Sequence, residues 1–152
     1  MTLVLATHSK IYGDFKITAD TGERCDQLKK VVSNEVLAAG FAGDFETIIE
    51  AIRLVELGEG DPKVIAKTGV EGLILKEGRI YLLDCRKVWK RPKREAFYGC
   101  GTGSSTAMAY LSGRLSVKPR AKLSEDDITA AFKFTAKCRD DCSSKFASVC
   151  AP

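Results

Sequence analysis

Apolar residues crowd the start of the chain, where Leu3, Val4, Leu5 and Ala6 form a short β-rich run from Thr2 to Ser9. After a turn expected at Tyr12-Gly13-Asp14, Phe15 to Asp20 alternates apolar with polar, so the two segments predict a hairpin. Leu28–Val32 and Val36–Ala39 predict a second strand pair turned at Ser33-Asn34. A kink across Gly40-Phe41-Ala42-Gly43 then leads into a helix capped by Asp44, with Phe45, Ile48, Ile49 and Ile52 expected on its inner face.

Beyond Gly58 and Gly60 the pattern predicts a loop and a short helix, then a hairpin of Val70–Leu75 and Arg79–Leu83 joined by Lys76-Glu77-Gly78. Ala96–Tyr98 reads as another strand. Gly99-Cys100-Gly101-Thr102-Gly103 turns into a helix with Ala107, Met108 and Leu111 at core spacing. The last helix starts at Ser124, with Asp127 placed for a capping box and Ile128, Ala131, Phe132, Thr135 and Cys138 on one face. Phe146–Cys150 closes the chain as a strand. Strands, a helix, more strands and then helices indicate an α+β fold with antiparallel sheets covered by helices, because the βα alternation of a doubly wound parallel sheet is missing.

The length, 152 residues, suits one domain spanning 1–152, and 45% hydrophobic content with 4 Pro supplies a packed core, which excludes disorder and a collagen-like fibre. No stretch has the roughly 18 predominantly apolar residues of a membrane span, and no basic segment followed by an apolar one opens the chain. A soluble, cytoplasmic protein with no membrane partner is expected.

Charge changes the picture locally. The 24 basic and 20 acidic residues leave +4, too little to require a polyanionic partner, yet Arg86, Lys87, Lys90, Arg91, Lys93 and Arg94 crowd together around Trp89. That segment reads as a solvated loop; phosphate contacts with base stacking on Trp89 are the nucleic-acid alternative, against which the modest net charge argues. Six cysteines (Cys25, Cys85, Cys100, Cys138, Cys142, Cys150) in a reducing compartment are expected as free thiols. Cys138, Cys142 and Cys150 have a spacing a metal could use, but no histidine lies near them and no C-x-x-C turn is present. Neither metal nor cofactor is expected.

Candidate chemistry is sparse. A histidine base would have to be His8, the single histidine, and the glycine-rich turn at 99–103 lacks both the G-x-G-x-x-G spacing and the Lys-Ser/Thr of phosphate loops. The start of the chain is more informative. A threonine directly after the initiator Met becomes N-terminal once Met1 is removed, and its own α-amine, with a pKa of about 7.7–8.0, can then take the hydroxyl proton. Such a site needs a cation beside the amine, a carboxylate to hold the cation, and backbone N–H donors for the oxyanion.

Five segments appear in an order that fits this chemistry: Ala19-Asp20-Thr21, Lys29-Lys30-Val31, Ala39-Gly40-Phe41-Ala42-Gly43, Gly101–Ala107 and Arg139-Asp140-Asp141-Cys142-Ser143. Together they resemble the proteasome β-subunit family, above all its HslV-like branch, over essentially the whole chain. The resemblance implies a four-layer αββα sandwich of the N-terminal-nucleophile (Ntn) hydrolases, subunits assembled into a homo-oligomeric ring, and a threonine peptidase acting on peptides or unfolded proteins, with an ATPase unfoldase as a possible partner. It implies Thr2 as nucleophile after loss of Met1, Lys30 as the cation, Asp20 as its carboxylate and Gly43 as oxyanion donor. Phe41 is implied as a wall of the specificity pocket, with Thr102, Asp140 and Ser143 around the amine. Each residue also has a plainer reading: an ion pair for Asp20 and Lys30, a helix-entry turn for Gly43, a cap for Thr102 and a helix end for Asp140 and Ser143. An acid near a helix C-terminus is electrostatically unfavourable, which argues for a role. The alternative function is a non-catalytic scaffold or inhibitor subunit of the same shape, of a compact kind that a phage could encode.

Overall fold

The computed structural model describes residues 2–18, 24–25, 28–117 and 122–152. Its first sheet has the order β10-β1-β2-β11, built from β1 (Val4–Thr7), β2 (Lys10–Asp14), β10 (Phe97–Cys100) and β11 (Phe146–Cys150). The second has the order β5-β6-β7-β8-β9, from β5 (Val31–Ser33), β6 (Ala38–Ala42), β7 (Glu71–Lys76), β8 (Arg79–Asp84) and β9 (Lys87–Lys90). All pairings are antiparallel. A two-residue pair, β3 (Ile17–Thr18) with β4 (Arg24–Cys25), stands apart.

Alternation along the strands sorts the apolar residues into three layers of core. Leu3 and Leu5 of the first sheet pack with Tyr12 against α3 (Ser104–Val117) and α4 (Glu125–Cys138), through Ala107, Leu111, Ile128, Ala131 and Phe132. Val4, Ala6 and Ile11 face the opposite way and meet Ala38, Ala42, Leu73 and Leu75 between the sheets. The outer face of the second sheet, with Ala39, Phe41 and Ile74, is covered by α1 (Phe45–Glu56) and α2 (Pro62–Ala66). The result is the four-layer αββα sandwich. Local signals set the helix ends: Asp44 accepts from Thr47 N at the start of α1, and Ser124 and Asp127 form the reciprocal capping box of α4.

Five expectations are corrected. Tyr12-Gly13-Asp14 is not a turn but the end of β2, which pairs with β1 on one side and β11 on the other; the chain turns at His8-Ser9 instead. Gly40 is not part of a kink but lies within β6, where an added Cβ would stand 2.7 Å from both Ile11 and Val4, so its absence lets the two sheets approach. The basic segment is not all loop, since Lys87–Lys90 forms strand β9 at the sheet edge, with Trp89 52% exposed. On α1 the buried face is Ile48, Ala51 and Val55, whereas Phe45 and Ile49 are 55% and 41% exposed; Cys138 on α4 is also exposed.

Among the described residues no helix is long and apolar enough to cross a membrane. The described cysteine side chains, Cys85, Cys100, Cys138, Cys142 and Cys150, are free thiols, and among the described residues no cluster of three or more His, Cys, Asp or Glu is placed to hold a metal.

Candidate active site

Thr2 lies just before β1 and is 2% exposed; Lys30 lies just before β5 and is fully buried. The two sheets bring them together, and the Lys30 ammonium donates to Thr2 Oγ1. It also donates to Asp14 Oδ1 at 2.8 Å and to the carbonyl of Lys16. Thr2 Oγ1 in turn donates to that same carbonyl at 3.3 Å. A wholly buried ammonium is tolerated only when such acceptors surround it.

Asp14, also fully buried, is held by the backbone as well. Its Oδ1 accepts from Leu3 N at 3.3 Å and its Oδ2 from Ser143 N at 3.0 Å. Burial pushes its carboxyl above the usual range, against the pull of Lys30 and of these two N–H groups. The resemblance places the carboxylate at Asp20, which lies outside the described residues; the carboxylate seen on Lys30 is Asp14. Sequence alone does not point to Asp14, because Gly13-Asp14 has the residue types of a turn. A hairpin turning at His8-Ser9 sets Gly13 opposite Val4, and so carries Asp14 to the start of β1.

The other candidate residues are spread around this centre. The Gly101-Thr102-Gly103 turn lies against Thr2: Gly103 N donates to Thr2 O at 3.4 Å, and a Cβ on Gly101 would come within 2.1 Å of that oxygen. Gly101 also has φ +87°, so both its space and its backbone require glycine. The same missing Cβ would lie 3.5 Å from Ala42 Cβ, which puts the end of β6, and Gly43 after it, beside the turn. Gly43, at φ +109°, redirects the chain from β6 into α1.

Thr102 Oγ1 is buried and makes no hydrogen bond of ordinary geometry among the described residues. Ser143 contributes its backbone N–H to Asp14, while its Oγ accepts from Lys145 N at 3.1 Å. Asp140 is exposed, and its carbonyl accepts from the Lys16 ammonium. Phe41 has no exposed surface and is part of the core under α1; the exposed apolar side chains following Gly43 are Phe45 and Ile49.

The adjoining Asp141 was not anticipated from sequence. Arg139 binds it with two hydrogen bonds of 2.9 and 3.0 Å, and chiefly for that reason its carboxyl is held down to about 2, with Thr102 a smaller contributor. A carboxylate with a depressed folded-state pKa stabilises above its unfolded value of about 3.9 and loses that contribution as pH falls toward the folded one. Because the pair is partly exposed, about 1 kcal/mol is the expected size. Thermal melts should therefore show Asp141→Asn less stable than the native protein at pH 6, with the gap closing between about pH 4 and pH 2.

No protein-family model matches the chain, and no curated protein matches it in sequence. Solved structures do match in fold. An HslV from Trypanosoma brucei superposes with a TM-score of 0.71 at 13% identity, over 98% of this chain and 97% of that one. BPH from Thiobacillus denitrificans, in complex with epoxomicin, gives 0.70 at 15% identity over 98% and 96%. Anbu from Hyphomicrobium sp. strain MC1 gives 0.72 at 10% identity over 97% and 81%. These likenesses establish that the chain shares the fold of HslV, BPH and Anbu.

Proposed function

We propose that this HslV-type sandwich is a threonine peptidase that cleaves peptide amide bonds with Thr2 after Met1 is removed. The observation that carries the reading is the buried Lys30 ammonium, which donates at once to Thr2 Oγ1 and to Asp14. An ordinary structural ion pair has no need of a threonine hydroxyl at the start of the chain.

The reaction follows from the groups present. The freed α-amine of Thr2 takes the hydroxyl proton, directly or through one water, and Oγ1 attacks the substrate carbonyl carbon. The Gly43 N–H stabilises the oxyanion, a type of donor worth roughly 3–4 kcal/mol. As the tetrahedral intermediate collapses, the C–N bond breaks and the proton passes from the amine to the leaving nitrogen. Water then hydrolyses the ester on Thr2, giving the acid product and restoring the hydroxyl. The positive charge of Lys30, held by Asp14, favours the neutral amine and the developing negative charge on Oγ1. The Gly101-Thr102-Gly103 turn, through Gly103 N on the Thr2 carbonyl, and Ser143, through its N–H on Asp14, position the residue that carries the amine. Phe45 and Ile49, exposed one turn apart beyond Gly43, offer apolar surface to the substrate residue before the scissile bond.

The subunits assemble into a ring, as the family resemblance implies. The test is hydrolysis of fluorogenic peptide amides by the species whose mass is fixed by light scattering. Expected are a multi-subunit mass, preference for Leu or Tyr over Asp before the fluorophore, and kcat/KM rising through about pH 7–8 as the amine loses its proton. A monomer contradicts the ring, and absence of hydrolysis across that range contradicts the peptidase.

A further inference from the structure

Catalysis as proposed needs groups held by two different sheets: Thr2, just before β1, and Asp14, at the end of β2, by the first, and Lys30, just before β5, and Gly43, just after β6, by the second. What holds the sheets in register at that end is therefore part of the chemistry. Glu71 opens β7 opposite Ala42, the residue before Gly43, and by alternation its side chain shares the inter-sheet face with Leu73 and Leu75. Its Oε1 accepts a hydrogen bond of 2.9 Å from the N–H of Gly101, which follows β10 of the other sheet. Gly101 is the residue that a Cβ would drive into Thr2 O and toward Ala42.

We propose that Glu71 is a positioning residue for the Thr2 reaction: its carboxylate ties the Gly101-Thr102-Gly103 turn, and with it Thr2, to the end of β6 that presents Gly43. The inference rests on the peptidase reading. A charged acceptor makes this a stronger bond than a neutral one, and its place at the mouth of the inter-sheet layer gives it leverage on the distance between nucleophile and oxyanion donor. A misplacement of about 1 Å between reacting groups costs on the order of 100-fold in rate. The apolar surface of Phe45 and Ile49 lies on α1 and is not touched by the change, so the loss belongs in kcat.

The experiment compares Glu71→Ala and Glu71→Gln with the native protein, using kcat and KM on an apolar peptide amide, the melting temperature, and hydrogen exchange at the Gly101 amide. Glutamine keeps an acceptor oxygen and alanine does not. Glu71→Ala is expected to lower kcat by about 10- to 100-fold with KM within about twofold, and to speed Gly101 exchange at least about tenfold. Glu71→Gln is expected to recover both to within about threefold of native. Beside an active native protein, unchanged kcat or unchanged Gly101 exchange in Glu71→Ala overturns the assignment. So does a loss that appears in KM or follows only the melting temperature. A native protein that cleaves nothing instead overturns the peptidase reading, and the positioning role falls with it.

Discussion

Lys30→Met is expected to abolish peptide cleavage and to lower stability by about 3–5 kcal/mol at neutral pH, because it leaves the fully buried Asp14 carboxylate without its ammonium. The deficit has a sign in pH. Burial already raises the Asp14 carboxyl, and removing Lys30 takes away the largest opposing influence. Asp14 in the variant then binds a proton in the folded state at pH values where the unfolded chain is ionised, so stability is lost as pH rises and regained as it falls. Denaturant titrations at pH 5 and pH 8 should show the gap from the native protein narrowing at the lower value. The double variant Lys30→Met with Asp14→Asn should recover most of the stability and none of the activity. Recovery of cleavage in that double variant would mean that the pair is structural alone.

Thr2→Ala carries the second large effect. It removes the acceptor of one Lys30 hydrogen bond and should cost only about 1 kcal/mol of stability, since Asp14 and the Lys16 carbonyl still surround the ammonium. Activity should nonetheless fall by roughly 10⁴-fold or more, as removal of a nucleophile does elsewhere. Thr2→Ser, which keeps the hydroxyl, should retain measurable hydrolysis. Initial rates on one peptide amide, with matched melting curves, separate these outcomes; a Thr2→Ala protein that cleaves at the native rate would place the nucleophile elsewhere.

The layers of the fold were legible wherever alternation was strict. Leu3 and Leu5 against Val4 and Ala6, and the caps at Asp44 and Ser124, carry their structural meaning in the local sequence. Legibility failed where residue type and context disagree. Gly13-Asp14 has turn chemistry, yet it finishes an interior strand because β1 and β11 satisfy its backbone on both sides and the buried carboxylate is neutralised from the other sheet. Gly40 reads as a kink, but its role is the close approach of the sheets, which no local pattern reveals. Phe45 and Ile49 keep helical spacing with Ile48 and Ile52, and only the packed structure shows that they stay outside the core. Of the proposed site, Thr2 and Lys30 are named by the family resemblance. Asp14 and Glu71 are not, because each acts through a partner far along the chain.

Whether Thr2, freed of Met1, is the nucleophile is tested most directly by intact-mass spectrometry of the native protein treated with a peptide epoxyketone. Expected are a mass lacking one methionine, a single covalent adduct, a modified N-terminal peptide on digestion, and no adduct in Thr2→Ala. A protein that retains Met1 and forms no adduct, or an adduct that persists in Thr2→Ala, would contradict that role.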